Sequence, residues 1–431
     1  MRKHIYDDDW KYTTALQYVK FSVRCAFRRF HVGGWERVPT DGSVILVSNH
    51  TGALMDPLVM LRAEGHKVVF MARGDIFKKP FVARILSFLR ILPIYRVRDG
   101  LDAVRDKNTD NMEQAVDTII HRVPLCLYPE GTHRAKHSLL RLNKGIFHMA
   151  IEADRRIGGQ WPVYIVPVGI EYADYYRYHT DLELEVGEPI DISALIRDHA
   201  DLTEPQLINL MRDRLTEGMS ATITYLPDDE DYDAMWELTK VRTAQSAPLS
   251  GRERRILNRR HIERLLRLRS EHPEEFARLR EAALKFKAER ERRHISVYST
   301  APRSRVALFF GTLLTLIAAP LALLCLLMSW PVIVLAEHIA YGIKDRVFRG
   351  TGRFGVFFFG MPLIAIVWAL VAGFTLHSVW WALLAAVIGL IAVPFCYNYV
   401  ERVRRQYSHW RMSKRLRHRV GELVDPDALV K

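Results

Sequence analysis

Residues 43–58 read SVILVSNHTGALMDPL. Val44 to Ser48 form a short, continuous apolar run, which reads as a buried strand. It leads straight into Asn49 and His50, and Gly52 and Asp56 follow. Histidine suits proton transfer because the imidazole changes charge near neutral pH. A carboxylate such as Asp56 can hold the other ring nitrogen, fix the tautomer and stabilise the imidazolium. His50 and Asp56 are six positions apart, which on a straight helix would set them about 240° from one another. Pairing therefore requires a turn between them, and Gly52 can supply it.

Working outward, short apolar runs recur at Val68–Met71, Ile91–Tyr95, Leu125–Tyr128, Val163–Val168 and Leu182–Val186. Helical spacing marks residues 13–30, 81–89, 111–122 and 204–222. Strands alternating with helices predict an α/β fold, a central mixed sheet flanked by helices. In the first helix Leu16, Val19, Val23, Phe27 and Phe30 share one face, and Lys20, Arg24 and Arg28 line another. That pattern fits a helix lying on an anionic membrane surface or a helix packed on its own domain.

The 431 residues divide by composition into five stretches. These are an amphipathic N-terminal helix at 1–30, the α/β domain at 31–227, an arginine-rich helical linker at 228–305, membrane helices at 306–398 and a basic tail at 399–431. The formal net charge is +13, which suits nucleic acid, an anionic membrane or acidic small molecules. The linker carries arginines at high density from Arg252 to Arg293, with acids interleaved and few aromatics. Scarce aromatics argue against stacking on single-stranded nucleic acid. The adjoining apolar region favours lipid phosphates, so no nucleic-acid partner is expected.

A spanning helix needs about 20 apolar residues. Val306–Ala336 exceeds that, and Val356–Leu376 and Val379–Tyr397 each fit one span. The flanks are basic: the Arg-rich linker, then Lys344, Arg346, Arg349 and Arg353, then a tail opening with Arg402, Arg404 and Arg405. Basic flanks favour the cytoplasm. All of them reach that side if 306–336 is a re-entrant hairpin with Pro320 near its apex. Residues 356–397 would form a second hairpin turning near His377 and Ser378. The N-terminus lacks the apolar core of a secretory signal, so the catalytic domain is expected on the cytoplasmic face of a membrane. Cys25, Cys126, Cys325 and Cys396 lie far apart, with no zinc spacing or disulfide framework, and read as packing residues.

A second polar block, YPEGTHRAKHSLLRLNKG from Tyr128 to Gly145, also follows a strand. Gly131 lets backbone approach a ligand, Thr132 offers a hydroxyl, and Lys144 and Arg96 can hold a phosphate. Glu130 can order that basic site. His133 and His148 read more readily as surface or packing histidines.

Taken in order, four blocks resemble the glycerolipid acyltransferase family, the glycerol-3-phosphate and 1-acylglycerol-3-phosphate acyltransferases. They are Asn49, His50 and Asp56; Leu92 to Arg96; Tyr128 to His133 with Lys144 and Gly145 behind; and Val166, Pro167 and Val168. The likeness covers about residues 30–225. It implies a mixed-sheet acyltransferase fold, with His50 as base and Asp56 as its partner. Arg96, Glu130 and Gly131 would bind the acceptor phosphate, and Pro167 would shape the wall near the acyl donor. It also implies a fatty acyl thioester as co-substrate, carried by coenzyme A or acyl carrier protein, and no metal or redox cofactor. The acceptor would be 1-acylglycerol 3-phosphate, with glycerol 3-phosphate the alternative. Two departures stand out: five residues separate His50 from Asp56 where four are usual, and His133 stands where arginine is usual. The competing class, a non-enzymatic lipid-binding membrane protein, has no need of His50, Asp56 and Glu130 together. Nucleotide loops, zinc-protease motifs and serine-hydrolase elbows do not occur in the sequence.

Overall fold

A computed structural model of the protein describes residues 4–7, 9–64, 68–94, 101–246 and 249–424. The chain divides into two compact units, one of residues 1–223 with 343–352, the other of residues 224–342 with 353–431.

The first unit opens with α1 (Trp10–Ala26), capped by Asp9, whose side chain accepts from Lys11 N at 2.8 Å. Its apolar line is buried: Tyr12, Leu16, Val19 and Val23 are all at most 9% exposed. Of the two readings offered by the sequence, the structure has the helix packed on its own domain. The helix also stops earlier than its periodicity suggests. Arg29–Gly33 forms strand β1, paired in parallel with a later strand, Phe30 against Leu182. Sheet pairing overrides a local helical pattern here.

The strands that follow are β2 (Ser43–Ser48), β3 (Val69–Arg73), β4 (Ile91–Ile94), β5 (Leu125–Leu127), β6 (Val163–Tyr172), β7 (Asp181–Val186) and β8 (Ile190–Asp191). They form one sheet in the order β1-β7-β6-β2-β5-β3-β4, with β8 beside β6. β2 lies between β5 and β6 and is parallel to both, while β6 and β7 are antiparallel, so the sheet is mixed. All six residues of β2 are buried, and Ile45, Leu46 and Val47 are fully so. Each such side chain contributes about 1.5–3 kcal/mol.

Helices α2 (Met55–Glu64), α3 (Pro80–Phe88), α4 (Leu101–Ile120), α5 (Gly145–Ile157), α6 (Ile192–Asp198) and α7 (Glu204–Thr222) complete the unit. One core joins the sheet to α4, α5 and α7 through Ile45, Ile119, Phe147, Ile165 and Met211. A Thr203–Gln206 capping box starts α7, and Gly158, at φ +63°, ends α5.

In the second unit, α8 (Tyr232–Gln245), α9 (Gly251–Glu271) and α10 (Pro273–Arg292) carry the arginine-rich stretch. They share a core with the last helix, α15 (Lys414–Val424), through Met235, Leu265, Phe286 and Leu416. The described part of the tail, 399–424, is thus largely helix, and Leu416, Val420 and Leu423 recur on one buried face of α15. Buried Glu237 accepts from Arg290 Nε and Nη2, at 2.7 and 3.0 Å, and from Lys240 at 2.7 Å.

The apolar region forms α11 (Arg305–Ile317), α12 (Ala319–Gly342), α13 (Phe348–Leu376) and α14 (Val379–Arg411). The chain breaks at Ala318, beside Pro320, and α12 then continues for 24 residues. Among the described residues three helices, α12, α13 and α14, are long and apolar enough to cross a membrane. Phe359, Phe374 and Trp380 are each at least 75% exposed. Large apolar surfaces of this kind face lipid, and the protein has the make-up of a membrane protein. α13 and α14 turn at His377 and Ser378, with Gly373 near Ala382 and Gly389 against Ala365.

Candidate active site

β2, β5 and β6 are parallel neighbours, so their carboxyl ends emerge at one edge of the sheet, where open α/β sheets place ligands. The loop after β2 is fixed first by Asn49. Its amide donates to Ile170 O at 3.0 Å and its Oδ1 accepts from Ile170 N at 2.7 Å. The chain then turns back so that Asp56, at the start of α2, faces His50.

Asp56 is completely buried, and it is satisfied. Oδ2 accepts from His50 Nδ1 at 2.8 Å, Thr51 N at 2.9 Å and Gly52 N at 2.8 Å. Oδ1 accepts from the Tyr172 hydroxyl at 2.6 Å. A buried carboxylate needs several donors and gains from a helix N-terminus, and both conditions are met. The left-handed residue of the turn is Ala53, at φ +53°, rather than Gly52. Gly52 is required for space instead, since a Cβ there would strike the Tyr172 hydroxyl and Asp56. Burial pushes the Tyr172 hydroxyl well above its ordinary value, so it stays protonated and donates.

The second block wraps onto the first. Tyr128 stacks on His50 with centroids 4.6 Å apart. Glu130 Oε1 accepts from His50 N at 3.1 Å and Oε2 from Leu140 N at 2.9 Å, while Arg134 N donates to His50 O at 3.0 Å. The backbone of His50 is therefore held from both sides by residues 130–134. Burial raises the Glu130 carboxyl pKa, against the lowering pull of those two backbone hydrogen bonds. Gly131, at φ +67°, makes the turn that permits this.

The other sequence-derived residues distribute unevenly. Thr132 and Lys144 are exposed, Lys144 at the N-terminal end of α5. Pro167 is buried, and Gly187 and Gly218 close on its ring. Arg96 lies outside the described residues. His148 is exposed, 3.0 Å from Glu204. His133 stands edge-on to His50, centroids 5.6 Å apart. Tyr172 is a site group that no local motif announces. Tyr172 lies 116 positions from Asp56, and only the pairing of β6 with β2 brings it there. None of the four cysteines forms a disulfide.

This arrangement can accept a proton at His50. Nδ1 donates to a carboxylate held in place by three further donors, which leaves Nε2 as the basic nitrogen of the neutral ring.

An acyltransferase family profile matches residues 29–171. The chain is 26% identical to the 1-acyl-sn-glycerol-3-phosphate acyltransferase alpha of Mus musculus over 204 residues, 44% of this chain and 66% of that protein. It is 24% identical to the 1-acyl-sn-glycerol-3-phosphate acyltransferase of Borreliella burgdorferi over 139 residues, 32% of this chain and 53% of that one. The match thus spans just under two thirds of the mouse relative. The crystal structure of the 1-acyl-sn-glycerophosphate acyltransferase of Thermotoga maritima aligns at 21% identity with a TM-score of 0.36, over 50% of this chain and 83% of that one. The profile match at residues 29–171 covers the blocks that fold into this site, so that stretch carries an acyltransferase domain.

Proposed function

We propose that the protein is a membrane-bound O-acyltransferase that moves a fatty acyl group from an acyl thioester to the hydroxyl of 1-acylglycerol 3-phosphate, giving phosphatidic acid. The observation that carries the reading is the His50–Asp56 pair, 2.8 Å apart at the end of β2, with Asp56 fully buried. The acceptor hydroxyl gives its proton to His50 Nε2 as its oxygen attacks the thioester carbonyl. The tetrahedral intermediate then collapses, the carbon–sulfur bond breaks, and the proton passes to the departing thiolate. Asp56 stabilises the imidazolium between these steps. Coenzyme A or acyl carrier protein would carry the donor, and no metal or redox group has a step to perform in this scheme. The 1-acylglycerol 3-phosphate acceptor is the one that the relatives' names give, and glycerol 3-phosphate is the second candidate.

The deciding experiment measures acyl transfer by membranes carrying wild type or His50→Ala protein, with both acceptors and with coenzyme A and carrier-protein donors. The expected result is phosphatidic acid from the wild type and a near-complete loss in the variant. Equal activity in the two would remove His50 from the mechanism. Arg349 and Arg353, with Lys344 and Arg346, outweigh Asp345 in the segment after α12, which supports a cytoplasmic site. Reporter fusions after residue 345 should read as cytoplasmic, and an external signal would reverse that orientation.

A further inference from the structure

His133 has a partner far from its own loop. Its Nε2 lies 2.6 Å from Oδ2 of Asp345, 212 positions away, in the segment 343–352 that folds as part of the site-bearing unit. Asp345 is itself aimed. Its Oδ1 accepts from Val347 N at 2.9 Å, a side-chain turn of the kind aspartate favours. The segment is held around that contact. Phe348 lies 6.4 Å from the His133 ring, the Arg346 guanidinium sits 4.4 Å over Tyr176, and Arg349 Nε donates to Ile343 O at 3.1 Å. Burial would raise the Asp345 carboxyl pKa, but the His133 hydrogen bond and the backbone donors Val347 and Phe348 hold it below the usual range. An ionised carboxylate only accepts, so Nε2 of His133 carries the hydrogen of this contact.

We propose that Asp345 is a positioning residue of the active site, which fixes His133 beside His50 as the cation that receives the acceptor's phosphate. The proposal rests on the acyl-transfer reading, because in 1-acylglycerol 3-phosphate the reacting hydroxyl and the phosphate are only a few bonds apart. A base at His50 therefore places the phosphate within about one ring's reach, where His133 stands. The groups facing His133 are His50 across the site and Asp345 from the segment. Arg134 and Glu130 flank it on its own loop, with both Glu130 oxygens taken by backbone donors. Lys344 and Arg346 adjoin Asp345 and add positive charge. A histidine cation fails as pH rises, which an arginine would not do.

The test uses full-length protein in phospholipid vesicles. The kcat and acceptor KM are measured from about pH 6 to about pH 9, the range over which histidine changes charge. Acceptors are 1-acylglycerol 3-phosphate and phosphate-free monoacylglycerol; proteins are wild type, Asp345→Asn, His133→Arg and the double variant. The wild-type KM for the phosphate acceptor should rise with pH. Asp345→Asn should raise it about tenfold at mildly alkaline pH, with kcat changed little and the KM for monoacylglycerol unmoved. His133→Arg should flatten the profile and make Asp345→Asn silent. An unchanged KM in Asp345→Asn, or an equal loss with both acceptors that His133→Arg does not rescue, would overturn the proposal. If wild type acylates neither acceptor, the proposed function fails, and calorimetric binding of glycerol 3-phosphate to the same proteins decides this inference separately. Binding that weakens with pH and with Asp345→Asn upholds it, and binding indifferent to both refutes it.

Discussion

Two carboxylates in the same unit each hold a histidine, and they do so under opposite conditions. Asp56 has no exposed surface and accepts from His50, Thr51, Gly52 and Tyr172. The Asp345 side chain is 48% exposed and accepts from His133 and from the turn that it closes. Asp56 reaches its histidine across six residues of chain, and Asp345 across 212. A buried carboxylate must be fully satisfied or it destabilises the fold, so on the proposed mechanism Asp56 would join chemistry to stability. An exposed ion pair contributes little to folding, so Asp345 is free to matter for substrate alone.

That contrast can be broken by substitution. His50→Ala should lower acyl transfer about 10³-fold, the middle of what a positioned base supplies, with only a modest fall in melting temperature because Asp56 keeps the Thr51, Gly52 and Tyr172 donors. Asp56→Asn should cost about 10²-fold or more in kcat, and it should also lower the melting temperature. The amide NH₂ it introduces would face the Thr51 and Gly52 N–H groups, and a melting curve identical to wild type would contradict the tie between chemistry and stability. Tyr172→Phe should reduce kcat about tenfold, since one charge-assisted hydrogen bond to Asp56 disappears while the ring remains. An unaffected pH–rate profile and kcat would show that Tyr172 only packs. Asp345→Asn should change folding stability by about 0.5 kcal/mol or less, read by denaturant unfolding. Because the Asp345 pKa is lowered in the fold, its small contribution is present above the ordinary aspartate range and vanishes as pH falls through the lowered value. Wild type and variant should therefore unfold alike in acid.

The legible part of the site is the local part. His50 and Asp56 sit on one strand-turn-helix, and the turn between them was demanded by helix geometry, although the residue that adopts positive φ is Ala53. Gly131 could be read because a tight turn after a strand favours glycine. Tyr172 could not, because its contribution depends on which strands are neighbours. Nor could the tie through Glu130, whose partners are backbone N–H groups that every residue possesses. The fold shows the same division. β2 and β6 announce themselves by apolar runs, whereas β1 has the composition of a helix end and becomes a strand through its pairing with β7. The tail beyond Asn398 reads as charge, and its buried side, Leu416 and Val420, emerges only against α8 and α10.

The segment 343–352 has a topological consequence. The chain leaves the site-bearing unit at residue 223 and rejoins it at residue 343, having passed through α11 and α12. A polypeptide that departs from and returns to one folded body on one side of a bilayer has crossed it an even number of times, or not at all. α12 taken as a lone crossing would strand Asp345 on the far side from His133. Taken as a membrane pair, α11 and α12 would by the same parity have to enter and leave on one face.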